Sequence, residues 1–297
     1  MARTNNLTNY LTDIANTIKE REYENTEIFS LLSEMNIKIQ ASGFDTEIQE
    51  KLRPQYNGVP TDVNKNPLVS YFIYNDMLDT IDFNNSYVEC GKNDAEQLFF
   101  GCEGLTSIDG LSSDNFGTSQ CISFRQMFEG CSGLTSLDVS FLTENAKIME
   151  FMFSGCTGLT SITLDIDTSN VISFIGMFAS DYMLENIYGI ENFDVSSAIS
   201  FYNMFGGCDS LTSLDLSSWQ PSNLIDMRYM FGGCFSLSFL DIRNFEISNL
   251  DTYYTDSAFS GVDSSCEIIV KDDTEKGWFE SNYPELENVK TVAEYEA

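Results

Sequence analysis

Apolar residues along the chain fall into two spacings that recur together. In the first, L-x-x-L-x-L, they close on an alternation of period two: Leu134, Leu137 and Val139; Leu159, Ile162 and Leu164; Leu211, Leu214 and Leu216; Leu237, Leu240 and Ile242. This predicts short strands, with the intervening residues, such as Ser136 and Asp138 or Ser213 and Asp215, pointing the other way into solvent. In the second, the steps are three and four residues, as in Val171, Phe174, Met177 and Phe178 or Leu224, Met227, Met230 and Phe231. That spacing predicts a short helix or helical turn with one apolar face. A strand plus one such segment cannot bury its own apolar face, so successive units must stack.

The units do recur. Aligned on an aromatic-Gly-Cys block, they begin at Leu98, Met127, Met152, Met177, Met204 and Met230, with spacings of 29, 25, 25, 27 and 26 residues. Degenerate copies at Tyr71 and near Ala258 extend the array to roughly eight units over residues 71–270, irregular at its ends as a stack that must stop in a solvated cap should be. The periodicity therefore predicts an α/β repeat: a solenoid with a parallel β-sheet face roughly 40 Å across. The segment "CEIIVKDDTEKGWFESNYPELENVKTV" resembles the capping end common after such repeat arrays, which implies a strand at Glu267–Val270 followed by a helix and a C-terminal cap over residues 271–297. Residues 1–53 carry no repeat. Leu7, Leu11, Ile14 and Ile18 define one amphipathic helix, and Ile28, Leu31, Leu32 and Met35 suggest a second. Residues 54–70, with Pro54, Gly58, Pro60 and Pro67, read as a linker. The helical module is either a cap for the repeats or an oligomerising or docking segment.

Charge and composition narrow the function. Forty-six acidic residues against fifteen basic ones give a formal net charge of −31, which repels phosphate and anionic lipid and excludes nucleic acid as an expected partner. No stretch is apolar enough for membrane insertion, and the first twenty residues have neither a basic start nor an apolar run, so no signal peptide is expected. Histidine is absent, which removes the usual general base and every Ser-His or Cys-His pair. No catalytic residue and no cofactor are expected. A glycan hydrolase using paired carboxylates is the enzymatic alternative, but acids recurring in every unit single out no pair.

Three rows invite a site. Cys102, Cys131, Cys156, Cys208 and Cys234 share one repeat position, which Asp181 occupies in a degenerate unit. A line of parallel thiols does not make a tetrahedral ligand set, so they read as small packing residues and no metal is assigned to them. Asp82, Asp109, Asp138, Asp215 and Asp241 should form an acidic stripe on the exposed sheet face, interrupted by Thr163 and Tyr188. Its repulsion could be offset by calcium, by neighbouring hydroxyls or by a basic partner. The glycines of "FGGC" (Gly206, Gly207, Gly232, Gly233) lack the lysine of a phosphate loop and read as turns needing positive φ. The expected contact residues are the exposed strand positions Asp109, Asp138, Ser213, Asp215 and Asp241, with the aromatics Tyr188 and Phe239.

Two resemblances sharpen this. The unit "MFxGCxxLTSLDLSxxxxSNxxxMxxMF" at 204–231, echoed at 127–153 and 152–178, resembles the BspA-like leucine-rich repeats of bacterial and mycoplasmal surface proteins. It implies a leucine-rich-repeat solenoid used in adhesion or protein recognition. Asn170, Asn223 and Asn249 resemble the buried asparagine rows of such solenoids. "ARTNNLTNYLTDIANTIKE" followed by "IQASGFDTEI" resembles the opening of structural proteins of phages that infect Gram-positive gut bacteria, here with "YENTEIFSLLSEMNIK" lengthening the part between. It implies a virion-surface protein, a homo-oligomer anchored to other virion proteins through Leu7, Leu11, Ile14 and Ile18. The solenoid would then recognise a bacterial-surface protein or glycan. A bacterial surface or secreted adhesin is the alternative.

Overall fold

The computed structural model describes residues 38–40, 72, 78–83, 88–90 and 95–297. The expected anchoring residues Leu7, Leu11, Ile14 and Ile18 and the linker at 54–70 lie outside them. Of the N-terminal segment the described part is β1 (Lys38–Gln40), which pairs antiparallel with β2 (Thr80–Asp82). From β2 onward the chain winds into a parallel β-solenoid of about eight coils. One wall carries β2, β4 (Ser107–Asp109), β6 (Ser136–Val139), β7 (Ser161–Leu164), β8 (Asn186–Tyr188), β9 (Ser213–Asp215), β10 (Phe239–Asp241), β11 (Glu267–Val270) and β12 (Val289–Thr291). A separate short parallel pair joins β3 (Val88–Glu89) to β5 (Phe116–Gly117).

The strands occupy the positions that the alternation predicts: β4, β6, β7 and β9 each bury a leucine or isoleucine between less buried hydroxyls or acids, and β6, for example, is exposed at Ser136 and Asp138 and buried at Leu137 and Val139. The wall is not one continuous sheet. Its ladder runs β2–β4, β6–β7–β8 and β9–β10–β11–β12. The second break follows β8, where Gly189 takes φ +89° and sends the chain into a 3₁₀ turn at Ile190–Asn192.

The last unit has a 3₁₀ turn in its second segment, at Thr252–Thr255, but in the units that begin at Leu98 to Met230 that segment is not helical. It is a run of tight turns whose backbone donors alternate in destination. Gln126, Phe128 and Gly130 donate to Glu150, Met152 and Ser154 of the next coil, at 2.8–2.9 Å, while Met127, Glu129 and Cys131 donate three residues back within their own coil. An α-helix would consume all of these groups internally and leave nothing to join the coils. The alternation requires left-handed residues, and Gln126, Phe151, Asn203 and Tyr229 accept φ between +54° and +58° to supply it. Of the four glycines expected in that region only Gly207 and Gly233 do so. A Cβ on Gly206 would instead run into the Asn203 side chain, and Gly206 is kept small by that contact.

The core is a stack. Phe72, Phe99, Phe128, Phe153, Phe178, Phe205, Phe231 and Phe259 form one ladder through the solenoid, with successive ring centroids 5.2–5.8 Å apart and most pairs face to face. Beside it, Phe174, Phe193, Trp219 and Phe245 form a second, shorter stack. The C-terminal end closes with α1 (Asp273–Asn282), N-capped by the Asp272 side chain, which sets Phe279 edge-on to Phe259 at 4.8 Å. A short α2 (Val292–Tyr295) follows β12.

Candidate functional site

The cysteine row is a hydrogen-bonding row as well as a packing one. Each thiol donates to the carbonyl of the ladder phenylalanine one coil earlier: Cys102 to Phe72, Cys131 to Phe99, Cys156 to Phe128, Cys208 to Phe178 and Cys234 to Phe205, at sulfur–oxygen distances of 2.8–3.1 Å. Burial pushes the thiols of Cys131, Cys156 and Cys208 well above the ordinary range and that of Cys234 up to about 12. Such thiols are poor nucleophiles. A thiol reagent at pH 8 is therefore expected to leave the folded chain unmodified and to titrate all eight cysteines after denaturation. Fast reaction of the native protein would contradict the burial. Among the described residues no group of three or more His, Cys, Asp or Glu could hold a metal ion.

Asp181 stands in this row where the donor should be. It is fully buried and neither carboxyl oxygen has a hydrogen-bond partner. Burial raises its pKa well above the usual carboxylate range; the nearby amide of Cys156, already committed to Phe153 O at 3.1 Å, offsets this only in part.

On the sheet face the register places Asp82 beside Asp109, Asp138 beside Thr163 and then Tyr188, and Asp215 beside Asp241. Asp109, Asp138, Ser213 and Asp215 are exposed, and Tyr188 is the most open ring of that face at 56%. The other two expected contacts are covered. Asp241 is 2% exposed and held by Arg243, Nη2–Oδ2 2.6 Å and Nε–Oδ1 3.1 Å. Arg243 in turn reaches Glu296 at 3.0 Å and lies over the Tyr295 ring, which packs on the half-buried Phe239 with centroids 6.2 Å apart. The C-terminal turn thus folds back over the end of the sheet face. The acidic stripe is accordingly shorter than the sequence suggests.

Many of the acids have local work. Asp167, Asp194, Asp215 and Asp263 each accept the backbone N–H of the serine two residues on, at 2.8–2.9 Å. These D-x-S turns are visible in the sequence and account for part of its acidity. The asparagines Asn170 and Asn223 are exposed, not buried, and donate to Glu144 O and Ser196 O in the preceding coil. Exposed loops can carry such side-chain rungs because water satisfies whatever the amide leaves over. A shallow groove of about 490 Å³ lies between loops at Pro221, Asn244, Asn249 and Lys271. It contains none of the expected contact residues.

The turn wall, adjoining the strands around each coil, holds what the strand-based reading missed. Ile172, Ile199 and Ile225 stand 41%, 43% and 53% exposed on adjacent coils joined by Ile199 N to Ile172 O (3.0 Å) and Ile225 N to Ile199 O (2.9 Å). Beside them Arg228 is clamped by Asp226 and lies over Tyr202, Tyr253 and Tyr254, its guanidinium carbon 4.9–5.5 Å from each ring centre. The signal was present: the same repeat alignment that lines up the buried Phe174, Phe201 and Met227 lines up their outward neighbours.

No curated protein matches the chain. A family model described as Mycoplasma protein of unknown function, DUF285, matches residues 93–189 and 149–269, overlapping stretches that together span more than half of the sequence. The chain belongs to this family, whose repeats are of the BspA-like type.

Proposed function

We propose that the chain is a non-enzymatic recognition protein, a leucine-rich-repeat solenoid of BspA-like type carried on a phage virion by its first fifty residues. The observation that supports recognition is the outward face of the strand wall: Asp109, Asp138, Ser213, Asp215 and the open ring of Tyr188 are exposed on a stacked core, with Asp138 and Tyr188 in one strand register. A rigidly held aromatic among small polar groups suits contact with a protein or glycan, and it requires no chemistry of its own. The resemblance of residues 2–20 to phage structural proteins supports the virion setting. The matching family's description from Mycoplasma, a cellular organism, supports the second reading, a bacterial surface adhesin.

Mass spectrometry of purified particles and of host cell walls separates the two. The virion reading expects the protein in intact particles; its presence in walls and absence from particles would replace that reading with the adhesin. For the contact face, full-length Tyr188→Ala is expected to bind bacterial cells at least about 30-fold more weakly than wild type, the effect of losing a central anchor. Unchanged cell binding would remove the sheet face from the recognition surface. Deleting residues 1–37, which keeps β1 on β2, is expected to leave the solenoid's thermal transition in place while abolishing attachment to particles; loss of the transition would mark the segment as a cap.

A further inference from the structure

The turn wall has a charge order that matches itself in reverse. At one repeat position, seven consecutive coils present Glu96, Arg125, Glu150, Ile175, Tyr202, Arg228 and Asp256, joined coil to coil by the lateral backbone bonds of this wall, and the last six of them match in reverse. From Arg125 onward the signs read plus, minus, neutral, neutral, plus, minus, and both cations also have a partner within the chain, Arg125 in Glu150 at 3.6 Å and Arg228 in Asp226 at 2.7 Å. Laid antiparallel against a copy of itself, about a two-fold axis between the coils of Ile175 and Tyr202, every charge meets its opposite: Arg125 meets Asp256, Glu150 meets Arg228, and Ile175 meets Tyr202. A parallel arrangement in register sets like on like.

The neighbouring rows agree. Ile172 falls opposite Ile199, and the half-buried Phe151 opposite Tyr229, which is 40% exposed. Lys147 falls opposite Ile225, where its aliphatic stem can lie on the side chain while the ammonium, bonded to Asn170 at 3.0 Å, stays outside. Apart from Asp226, paired with Arg228, the outward positions of the coils at 172–175, 199–203 and 225–229 hold no carboxylate, in a chain of net charge −31. An apolar, Tyr- and Arg-bearing centre depleted of acids is the composition of an interface core.

We infer that this wall is a self-association face on which a second copy of the chain docks antiparallel, centred on Ile172 and Ile199 and registered by the Glu150–Arg228 and Arg125–Asp256 pairs. Six coils at about 4.8 Å by five extended residues give roughly 500 Å² per partner. That is about 1,000 Å² in total, at the lower limit for a specific interface, so the association is weak and reversible. The inference does not rest on the proposed function.

Sedimentation velocity of the full chain over a range of concentrations tests it, since variants confined to this wall leave any association through the N-terminal segment in place. Arg228→Glu and Glu150→Arg, each alone, are expected to weaken self-association about tenfold or more, because each sets like charges together at two symmetry-related points. Mixed in equal amounts, the two variants are expected to associate nearly as wild type does, since each then offers the charge the other lacks. Ile199→Asp should abolish the association without rescue by either. Variants that sediment as wild type, or a mixture no better than its parts, would overturn the antiparallel face. A monomeric chain that instead binds chitohexaose in calorimetry, sensitively to Tyr253→Ala, would assign the wall to glycan and overturn it equally.

Discussion

Replacing Asp181 with cysteine is expected to raise the stability of the solenoid at neutral pH by about 1–3 kcal/mol, the cost of an unsatisfied buried polar group. In a domain of this size that is roughly 2–4 °C in melting temperature per kcal/mol. Cysteine restores the donor that five other coils aim at a ladder carbonyl, here Phe153 O, and removes a carboxyl whose two oxygens have no partner. The pH dependence follows from the direction of the shift. Burial raises the folded pKa well above the unfolded value, which lies near 4. Between the two values the folded chain holds a proton that the unfolded chain has lost, so this group's contribution is greatest in acid and declines as pH rises. Asp181→Asn cannot ionise. Its melting temperature should exceed that of wild type by a margin that grows upward from about pH 4 and levels off above the folded value. A margin constant across that range would show that Asp181 holds no buried proton.

Phe178→Ala is expected to cost about 3–5 kcal/mol, the range for removing a buried aromatic ring. Phe178 is fully buried and stacked between Phe153 and Phe205, with centroids 5.6 Å away on each side. Because coils contact their neighbours and little else, the loss falls on one junction, and denaturant unfolding should divide into two transitions where wild type shows one. Phe178→Leu, which keeps most of the volume, should cost less than about 1.5 kcal/mol and stay cooperative. An alanine cost below that of leucine would show that the ring stack does not hold the coils together.

How far these features can be read without the structure depends on the distance over which they are determined. Strand positions are legible because an alternation of period two has one structural cause, and Leu137, Ile162 and Leu214 all face inward as it requires. The three-and-four spacing has two causes. A helix and a chain of turns both bury Phe174, Met177 and Phe178, and only the left-handed backbone at Phe151, Asn203 and Tyr229, residues whose side chains announce nothing of the kind, decides for turns. Asp241 and Phe239 look exposed from their own repeat because what covers them, Arg243 with Tyr295 and Glu296, includes residues more than fifty positions away. The cysteine row is legible as a row; its thiol-to-carbonyl bonds need the stacking distance. The Ile172–Ile199–Ile225 wall escapes a search for exposed strand positions because it lies on the segment whose apolar half alone draws attention.

In the tight-turn run at 126–130 and its equivalents the lateral hydrogen bonds go from the N–H groups of each coil to the carbonyls of the next, whereas at the flanking row of Ile172, Ile199 and Ile225 they go back to the coil before. The tight-turn run therefore has a donor end and an acceptor end, like a bar magnet that can be lengthened but not reversed. Inserting or deleting one whole coil leaves every donor facing an acceptor, whereas a change of half a coil strands both. The length changes this pattern accommodates are whole units, here 25–29 residues apart. Changes in reach can then accumulate without any new way of folding.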